Sequence, residues 1–492
     1  MKKDPPAFLF ALTAVVIMSA SAAIPCGAKA DELRVATLSG ASLAVVDRDT
    51  GVNPYDFGRN PAWVLSDLDI AYIRFFAGIE EISGDLRRDF DPHLQNDLYG
   101  GFQGVKRLGD RHAAKGRFGY KRLWQREVYH SLESDQYNDP FYLTDLTTGD
   151  FEYYGPTTRV DYAFRVKDNL YLGGGFDYDI NTGLKQEYTR PEIVHNYFMG
   201  NIGMVYDAGG GTLFGLVYRP SRRQNKTYFD DTDEGIDNLI HSYIGDGIYE
   251  TRNFGSYTIA EVMYGHEGMV QAFHTGDRIR AGLTASYSFS ENDVKYGSST
   301  QIDKGHWQED RFDVKFKGRW NEGAPLTLGA SARYFKADGW AVRPAFENVI
   351  VYETPFSFIE AGVGGAYTFE SPELTFAAEY IFRLHDVTVD DYSGGFHRES
   401  DVSTNTGRLS LEKRFLNVYS IRAGFEYVDY PVDRWLKLPR NIDIMKFTAG
   451  GGYYVKGWEI DLHLQYEDWS KDDVDVDRRG LGAVVWFSRI VE

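Results

Sequence analysis

Glu309-Asp310-Arg311-Phe312-Asp313-Val314-Lys315-Phe316-Lys317-Gly318-Arg319-Trp320 decides the fold. Phe312, Val314, Phe316, Gly318 and Trp320 take every second place, and Arg311, Asp313, Lys315, Lys317 and Arg319 fill the places between. Side chains on a β-strand point alternately to opposite faces. One face of this segment is therefore apolar and the other almost wholly ionic. The pattern recurs. Trp458, Ile460, Leu462, Leu464 and Tyr466 alternate with Glu459, Asp461, His463, Gln465 and Glu467. Val160, Tyr162, Phe164 and Val166 alternate with Arg159, Asp161, Arg165 and Lys167. Leu374, Phe376, Tyr380, Phe382 and Leu384 alternate with Thr375, Glu379 and Arg383.

A soluble β-sandwich also alternates. The spacing of the connections separates the two cases. Tight links fall at Lys167–Asn169, Asp207–Gly211, Thr275–Asp277, Asn321–Pro325, Glu370–Glu373, Phe415–Asn417 and Lys456–Gly457. Long polar stretches lie between them, at 130–156, 180–195, 221–253, 291–308, 338–356, 385–404, 429–441 and 469–477. Short turns at one end and long loops at the other mark an outer-membrane barrel. The expected fold is all-β: a transmembrane antiparallel β-barrel over 69–492 with short periplasmic turns and long extracellular loops. Counting hairpins gives about 18 strands, within a range of roughly 16 to 20, even numbers being favoured. The main ambiguity is Asn253 to His274, which reads as one tall strand or as two broken at Gly265 and Gly268.

Composition agrees. The 492 residues include 51 glycines and 34 tyrosines, and 15% are aromatic, which suits strands better than helices. Mean hydropathy is −0.40, and no apolar run of about 20 residues follows the N-terminus, which excludes a bundle of membrane helices. Residues 1–30 read as a secretory signal: Lys2 and Lys3, an apolar run from Phe8 to Ala23, then Ala28-Lys29-Ala30 and cleavage before Asp31. The apolar run is shorter than a membrane anchor needs. Pro25 beside Cys26, and Ala23 where a lipoprotein signal prefers leucine, argue against lipid attachment. Cys26 is the single cysteine, so the mature chain has no thiol and no disulfide. The formal charge of −19 becomes −21 once Lys2, Lys3, Lys29 and Asp4 are removed, and so acidic a chain is a poor partner for nucleic acid. The expected partners are outer-membrane lipid, the barrel-assembly machinery and a small solute. No cofactor is expected. Outer-membrane barrels commonly end on an aromatic residue that the assembly machinery reads; here Ser-Arg-Ile-Val-Glu follows Phe487.

Charges on a lipid-facing surface cost about 2–4 kcal/mol for Arg or Lys at mid-depth. The ionic face must therefore turn inward. That makes Arg159, Asp161, Arg165, Arg311, Asp313, Lys315, Lys317, Arg319, Glu379, Arg383, Arg408, Arg422, Glu459 and Asp461 the candidate lumen lining. Two readings stay open: rings of charge that select solutes, or a ladder of cross-strand ion pairs that braces the interior. Tyr72, Trp124, Tyr154, Trp320, Trp458 and Trp486 are candidates for interfacial aromatic girdles. In the acidic loop 230–237, Asp231, Asp233 and Asp237 form a calcium candidate without the spacing of the twelve-residue calcium loop; Asp472–Asp477 is similar. Gly173-Gly174-Gly175 and Gly209-Gly210-Gly211 have no helix after them, so they read as packing or curvature rather than phosphate loops. No catalytic triad, metal motif or His-x-x-x-His is present, and no enzyme activity is expected.

Residues 31–68 differ from the rest and carry the turns Asn53-Pro54 and Asn60-Pro61-Ala62-Trp63, so they read as a small plug or a periplasmic leader. An Asn-Pro-Ala turn ahead of the first strand resembles the long-chain fatty-acid channel family and its secretion-associated relatives. That resemblance implies passage of hydrophobic molecules. Phe118-Gly119-Tyr120 followed by Gln136-Tyr137-Asn138-Asp139-Pro140-Phe141 is similar to an uncharacterised family of outer-membrane barrels, which implies location and little else. The expected function is a passive, porin-like channel for a small solute. The alternative is a non-conducting barrel that anchors or assembles a surface or secretion complex.

Overall fold

The computed structural model describes residues 59–66 and 71–491, apart from 132–139, 187–190, 230–238, 246–247, 254–256, 298–301, 322–323, 344–348, 371–372, 417, 430, 433, 438–441 and 472–473. The signal segment 1–30, the calcium candidates Asp231, Asp233 and Asp237, and Asn53-Pro54 lie outside the described residues.

The strands follow in chain order: β1 (Ala71–Gly84), β2 (Leu94–Arg107), β3 (His112–Ser131), β4 (Phe141–Lys167), β5 (Leu170–Lys185), β6 (Glu192–Gly209), β7 (Thr212–Phe229), β8 (Leu239–Ile244), β9 (Ile248–Asn253) and β10 (Tyr257–Thr275). The second half holds β11 (Ile279–Tyr296), β12 (Ile302–Trp320), β13 (Leu326–Arg343), β14 (Val349–Phe369), β15 (Leu374–Asp391), β16 (Phe396–Phe415), β17 (Tyr419–Asp429), β18 (Ile442–Val455), β19 (Trp458–Lys471) and β20 (Val474–Val491). Each strand pairs antiparallel with the next, except that β7 pairs with β10 and leaves β8–β9 as a separate hairpin. β20 pairs with β1 from Ala71↔Val491 to Gly84↔Arg478 and closes the ring at 18 strands. Closure leaves no sheet edge, the condition for spanning hydrocarbon. Of the segment Asn253 to His274, Asn253 ends β9 and Tyr257 onward is the single strand β10, unbroken at Gly265 and Gly268.

Both termini of the ring and the connections that follow β2, β4, β6, β10, β12, β14, β16 and β18 lie at one end. At that end Lys456 and Gly457 both have positive φ (48° and 80°), as a two-residue hairpin that follows the strand twist requires. The expected long loops at the other end are shorter than the sequence suggested. β5, β7, β11, β13 and β15 run up into those polar stretches, and β4, β12, β14 and β16 begin within them. The physical reason is height. Nineteen residues of β12 rise to roughly 45 Å at a tilt of about 40°, whereas the lipid band is only about 25 Å tall. The wall above that band stands in water and has no need of apolar alternation.

Three prolines lie inside strands: Pro156, Pro220 and Pro355. Proline cannot donate to a ladder. The pairing skips two rungs at each: β4–β5 passes from Tyr154↔Thr182 to Thr157↔Asp179, β6–β7 from Met199↔Ser221 to Ile202↔Tyr218, and β14–β15 from Glu353↔Asp390 to Phe356↔Val387.

The apolar alternates are bared outward. Ile202, Val363 and Ile421 are 63, 61 and 60% exposed, a level that means lipid contact rather than core packing. Trp320 and Trp458 share this outer face at strand ends, as girdle residues should, and Trp124 and Tyr154 share it further along their strands. Tyr72 and Trp486 do not. Tyr72 packs against the Val64–Leu65 cluster inside, and Trp486 stands opposite Asp461 with its ring edge to His463. Their strands place these two rings on the inward phase. The protein is an outer-membrane β-barrel.

Candidate functional site: a braced lumen between two closures

The first closure is residues 59–66, which we term the strap. Asn60 folds the chain locally: its Oδ1 accepts from Ala62 N at 3.0 Å and its carbonyl from Trp63 N at 3.1 Å. A short helix α1 (Trp63–Ser66) follows. Trp63 is buried, edge-on to Phe273 of β10 at 5.5 Å. Asn60 Nδ2 donates to Met204 O and to Gln271 Oε1, both at 3.1 Å, and Asn201 Nδ2 donates to Arg59 O at 2.9 Å. Arg59 and Arg219 converge on Glu267 at 2.5 and 3.0 Å. At the other end of the strap, Arg107 of β2 donates to Leu65 O. The strap thus follows the inner wall from β2 to β10, near the tight-turn end.

Glycines make the slot for it. A Cβ on Gly173 would lie 2.3 Å from Ala62 N, and one on Gly203 would lie 2.1 Å from Asn60 Oδ1. Gly175, two residues along the same face, clears space for the Asp161 carboxylate. The Gly173–Gly175 run is therefore a docking surface for the strap and an ion pair.

The second closure is a lid at the opposite mouth. β4 is 27 residues long, and its first residues leave β3 to pair with β8, Phe141↔Ile244 to Thr144↔His241. Phe141, Leu143, Ile240 and Ile244 pack into one core with Ile259, Val294, Trp307, Ala341, Tyr352, Val389 and Trp435. These residues come from β4 and β8 on one side and, on the other, from β10 to β15 and the segment between β17 and β18. The core therefore crosses the mouth. Gly305 of β12 has no side chain because the Phe141 ring would be 2.3 Å from its Cβ. Arg434, from the segment between β17 and β18, pairs with buried Glu309 and lies over Trp435 at 5.1 Å and Trp307 at 5.9 Å. Burial holds the Arg434 guanidinium below its ordinary pKa, and the Glu309 carboxylate works against that.

Between strap and lid the inner wall is charged. Arg159 Nε reaches Asp161 at 2.8 Å and Asp177 at 3.5 Å. Arg333 grips Asp313 with two hydrogen bonds at 2.9 and 3.0 Å, and Lys315 stands 3.4 Å from the same carboxylate. Arg383 donates to Glu360 at 2.9 Å. Arg408 contacts both Glu426 and Glu379, and Arg422 pairs with Asp461 at 2.5 Å. Arg311 pairs with Glu309, whose carboxylate it shares with Arg434. Arg319 and Glu459 are buried, and Arg165 and Lys317 are half-buried on the same face. Each contact named joins opposite signs, most along one strand or across neighbouring strands, while Arg422 reaches Asp461 across β18 and Arg434 comes from outside the strands. The bracing ladder is thus the form the charges take. Arg333 and Arg383 also lie over Phe358, at 5.0 and 4.6 Å, with Phe335 stacked on Phe358 at 5.2 Å.

Several of these residues escaped the sequence reading. Asp177, Arg219, Glu267, Arg333 and Glu360 sit on the same alternating phase, and continuing the period along their strands finds them. The lid has no such signal, because its apolar residues come from eight strands and the segment between β17 and β18.

A family model described as a family of unknown function (DUF6850) matches residues 61–474, from Pro61 of the strap to the start of β20. The chain belongs to the DUF6850 family. No curated protein matches it. Among solved structures, this DUF6850 barrel is similar to the siderophore receptor PiuA of Acinetobacter baumannii, with 10% identity, 84% of this chain and 81% of that chain covered, and a TM-score of 0.42. It is also similar to the toluene transporter TodX of Pseudomonas putida, with 13% identity, coverage of 94% and 98%, and a TM-score of 0.33. The toluene transporter TbuX of Ralstonia pickettii gives 11% identity, coverage of 89% and 93%, and a TM-score of 0.32. At these scores the likeness carries no inference about what passes through a DUF6850 barrel.

Proposed function

We propose that this protein is a passive channel for a small polar solute, gated by the lid. The observation that carries this reading is the state of the charges between the two closures. Arg159, Lys315, Arg333 and Arg408 keep 25–29% of their side-chain surface accessible although they face an enclosed interior. An interior that only stiffened a scaffold would gain by filling that space with packed side chains, because protein interiors are close-packed. Charges left wet inside a barrel suit a chamber that holds water and admits a solute. Charges of both signs are mixed through the chamber: Arg311 and Arg434 share Glu309, while Arg159 and Arg408 each have two carboxylates. A zwitterionic or dipolar solute suits it better than a simple anion.

The lid supplies the gate. Side-chain packing joins it to the far wall and to Trp435, whose neighbour Arg434 is held by Glu309 of β12, and these contacts can separate without breaking a strand of the ring. Planar-bilayer recording tests this. Wild type should show long closures, and Glu309→Gln should lengthen the open periods. A barrel whose lid residues 141–147 are deleted should conduct steadily. If that lid-free barrel folds and still passes no ions, the channel reading fails. The crossed mouth would then favour the second reading, a non-conducting anchor for a surface complex, and a co-purifying partner would support it.

A further inference from the structure

We infer that the rim of the barrel carries a site for a zinc-class divalent ion, formed by Glu291, Asp293 and His306. The placement follows from strand geometry. Glu291 and Asp293 are two residues apart on β11 and so share a face, and His306 of β12 is the cross-strand partner of Asp293. Two residues at i and i+2 and a third directly opposite make a triangle of side chains. One ligand atom from each of the three lies within 4.8 Å of the others. His306 Nδ1 is 2.8 Å from Asp293 Oδ1, and Nε2 is 3.4 Å from Glu291 Oε1. Two ligands held at about 2.1 Å from one tetrahedral ion stand about 3.4 Å apart, so the second spacing already matches.

The site faces outward and stands clear of the lipid. Glu291 and Asp293 share the phase of exposed Leu283 and Tyr287, and His306 that of Phe312 and Phe316. Asp310, which accepts from the Tyr287 phenol, marks where the apolar band ends below it. Imidazole with carboxylates selects borderline ions of the zinc, nickel and copper type over calcium and magnesium, which prefer oxygen alone. Lys295 lies 3.7 Å from Asp293 and offsets part of the negative charge, so a diffuse cloud of hard cations gains less here than at a purely acidic patch. Binding requires a neutral ring nitrogen with its lone pair free. The ion forms a bond to that nitrogen, and any proton the ring shares with a carboxylate leaves to the buffer.

The test is calorimetric titration of the metal-stripped, detergent-solubilised barrel with Zn2+, in two buffers of different ionisation enthalpy. One saturable site per chain, release of up to one proton as pH falls, and no displacement by excess Ca2+ are expected. His306→Gln and Asp293→Asn should each weaken binding by about tenfold or more, at least the loss seen when a supporting partner of a metal ligand is removed. Heat-modifiable gel migration verifies that each variant is folded, and Glu291→Gln replaces either variant that is not. Absence of a saturable site, or unchanged affinity in His306→Gln, would overturn the assignment and leave an ordinary hydrogen-bonded histidine.

Discussion

Lys185 at the top of β5 and Asp145 in the folded-over part of β4 form an ion pair at 2.8 Å with both side chains buried. The ammonium also donates to Thr147 Oγ1 at 2.9 Å and to Thr147 O at 3.2 Å, so its three donors are used. The pair ties the lid to the wall. Replacing only Asp145 by Ala leaves a buried cation and should cost about 3–5 kcal/mol. Limited proteolysis from outside should then cut the lid at a temperature where wild type resists. The double variant Lys185→Met with Asp145→Leu should recover most of that resistance. Equal protease sensitivity of wild type and Asp145→Ala would show that the lid does not depend on this pair.

The strap makes a second prediction. Gly173→Leu places a side chain where the backbone of Pro61 and Ala62 now lies, 2.3 Å away at the Cβ. Backbone cannot move aside as a flexible side-chain tip can. The strap should leave its slot while the ring stays closed. A cysteine at Ala62, buried in wild type, should react with a soluble thiol reagent only in the Gly173→Leu background, with heat-modifiable migration unchanged in both. Lack of labelling in that background would mean the strap is held by contacts other than the glycine slot.

Much of this was legible in the alternation of Phe312, Val314 and Phe316 with Asp313, Lys315 and Lys317. A period of two gives the strand, the faces and the inward turn of the charges. The turn residues give the strand count, and Lys456-Gly457 shows why: a two-residue link with positive φ at both positions closes only one kind of hairpin. Neighbouring pairs such as Arg422 and Asp461, by contrast, lie 39 residues apart in sequence and come together only through the register of β17, β18 and β19. No local pattern encodes that register. The lid was illegible for the same reason. Phe141 ends the motif Gln136–Phe141 and Gly305 lies in the polar stretch 291–308, and nothing links the two until the fold sets one against the other. Trp486 misled because interfacial tryptophans and inward ones look alike at a strand end.

The lipid face yields a third prediction. Ile202 is 63% exposed on β6, between Gly174 and Tyr218 on the neighbouring strands. Ile202→Arg should lower stability by about 2–4 kcal/mol if this level is near mid-bilayer. Ser331→Arg, on the inner phase of β13, should cost much less because its charge meets water and carboxylates. Folding yields in lipid vesicles, read as the heat-modifiable fraction, compare the two. Equal yields would contradict the assignment of faces.

At the extracellular rim, His397 of β16 lies 2.6 Å from Asp390 of β15 through Nδ1, and that hydrogen bond raises its pKa above the usual histidine value. The sign follows directly. A raised pKa means that the folded protein holds the proton more tightly than the unfolded chain, so the contact supports the fold at low pH and fades as pH climbs through the raised value. His397 is fully exposed, and water and salt screen the pair, so the effect should appear in titration rather than in melting temperature. A single His397 resonance in selectively labelled protein should titrate above the ordinary midpoint of about 6.5. Asp390→Asn should return it toward that midpoint, and high salt should lower it part of the way. A midpoint in wild type at or below that of Asp390→Asn would refute the contact.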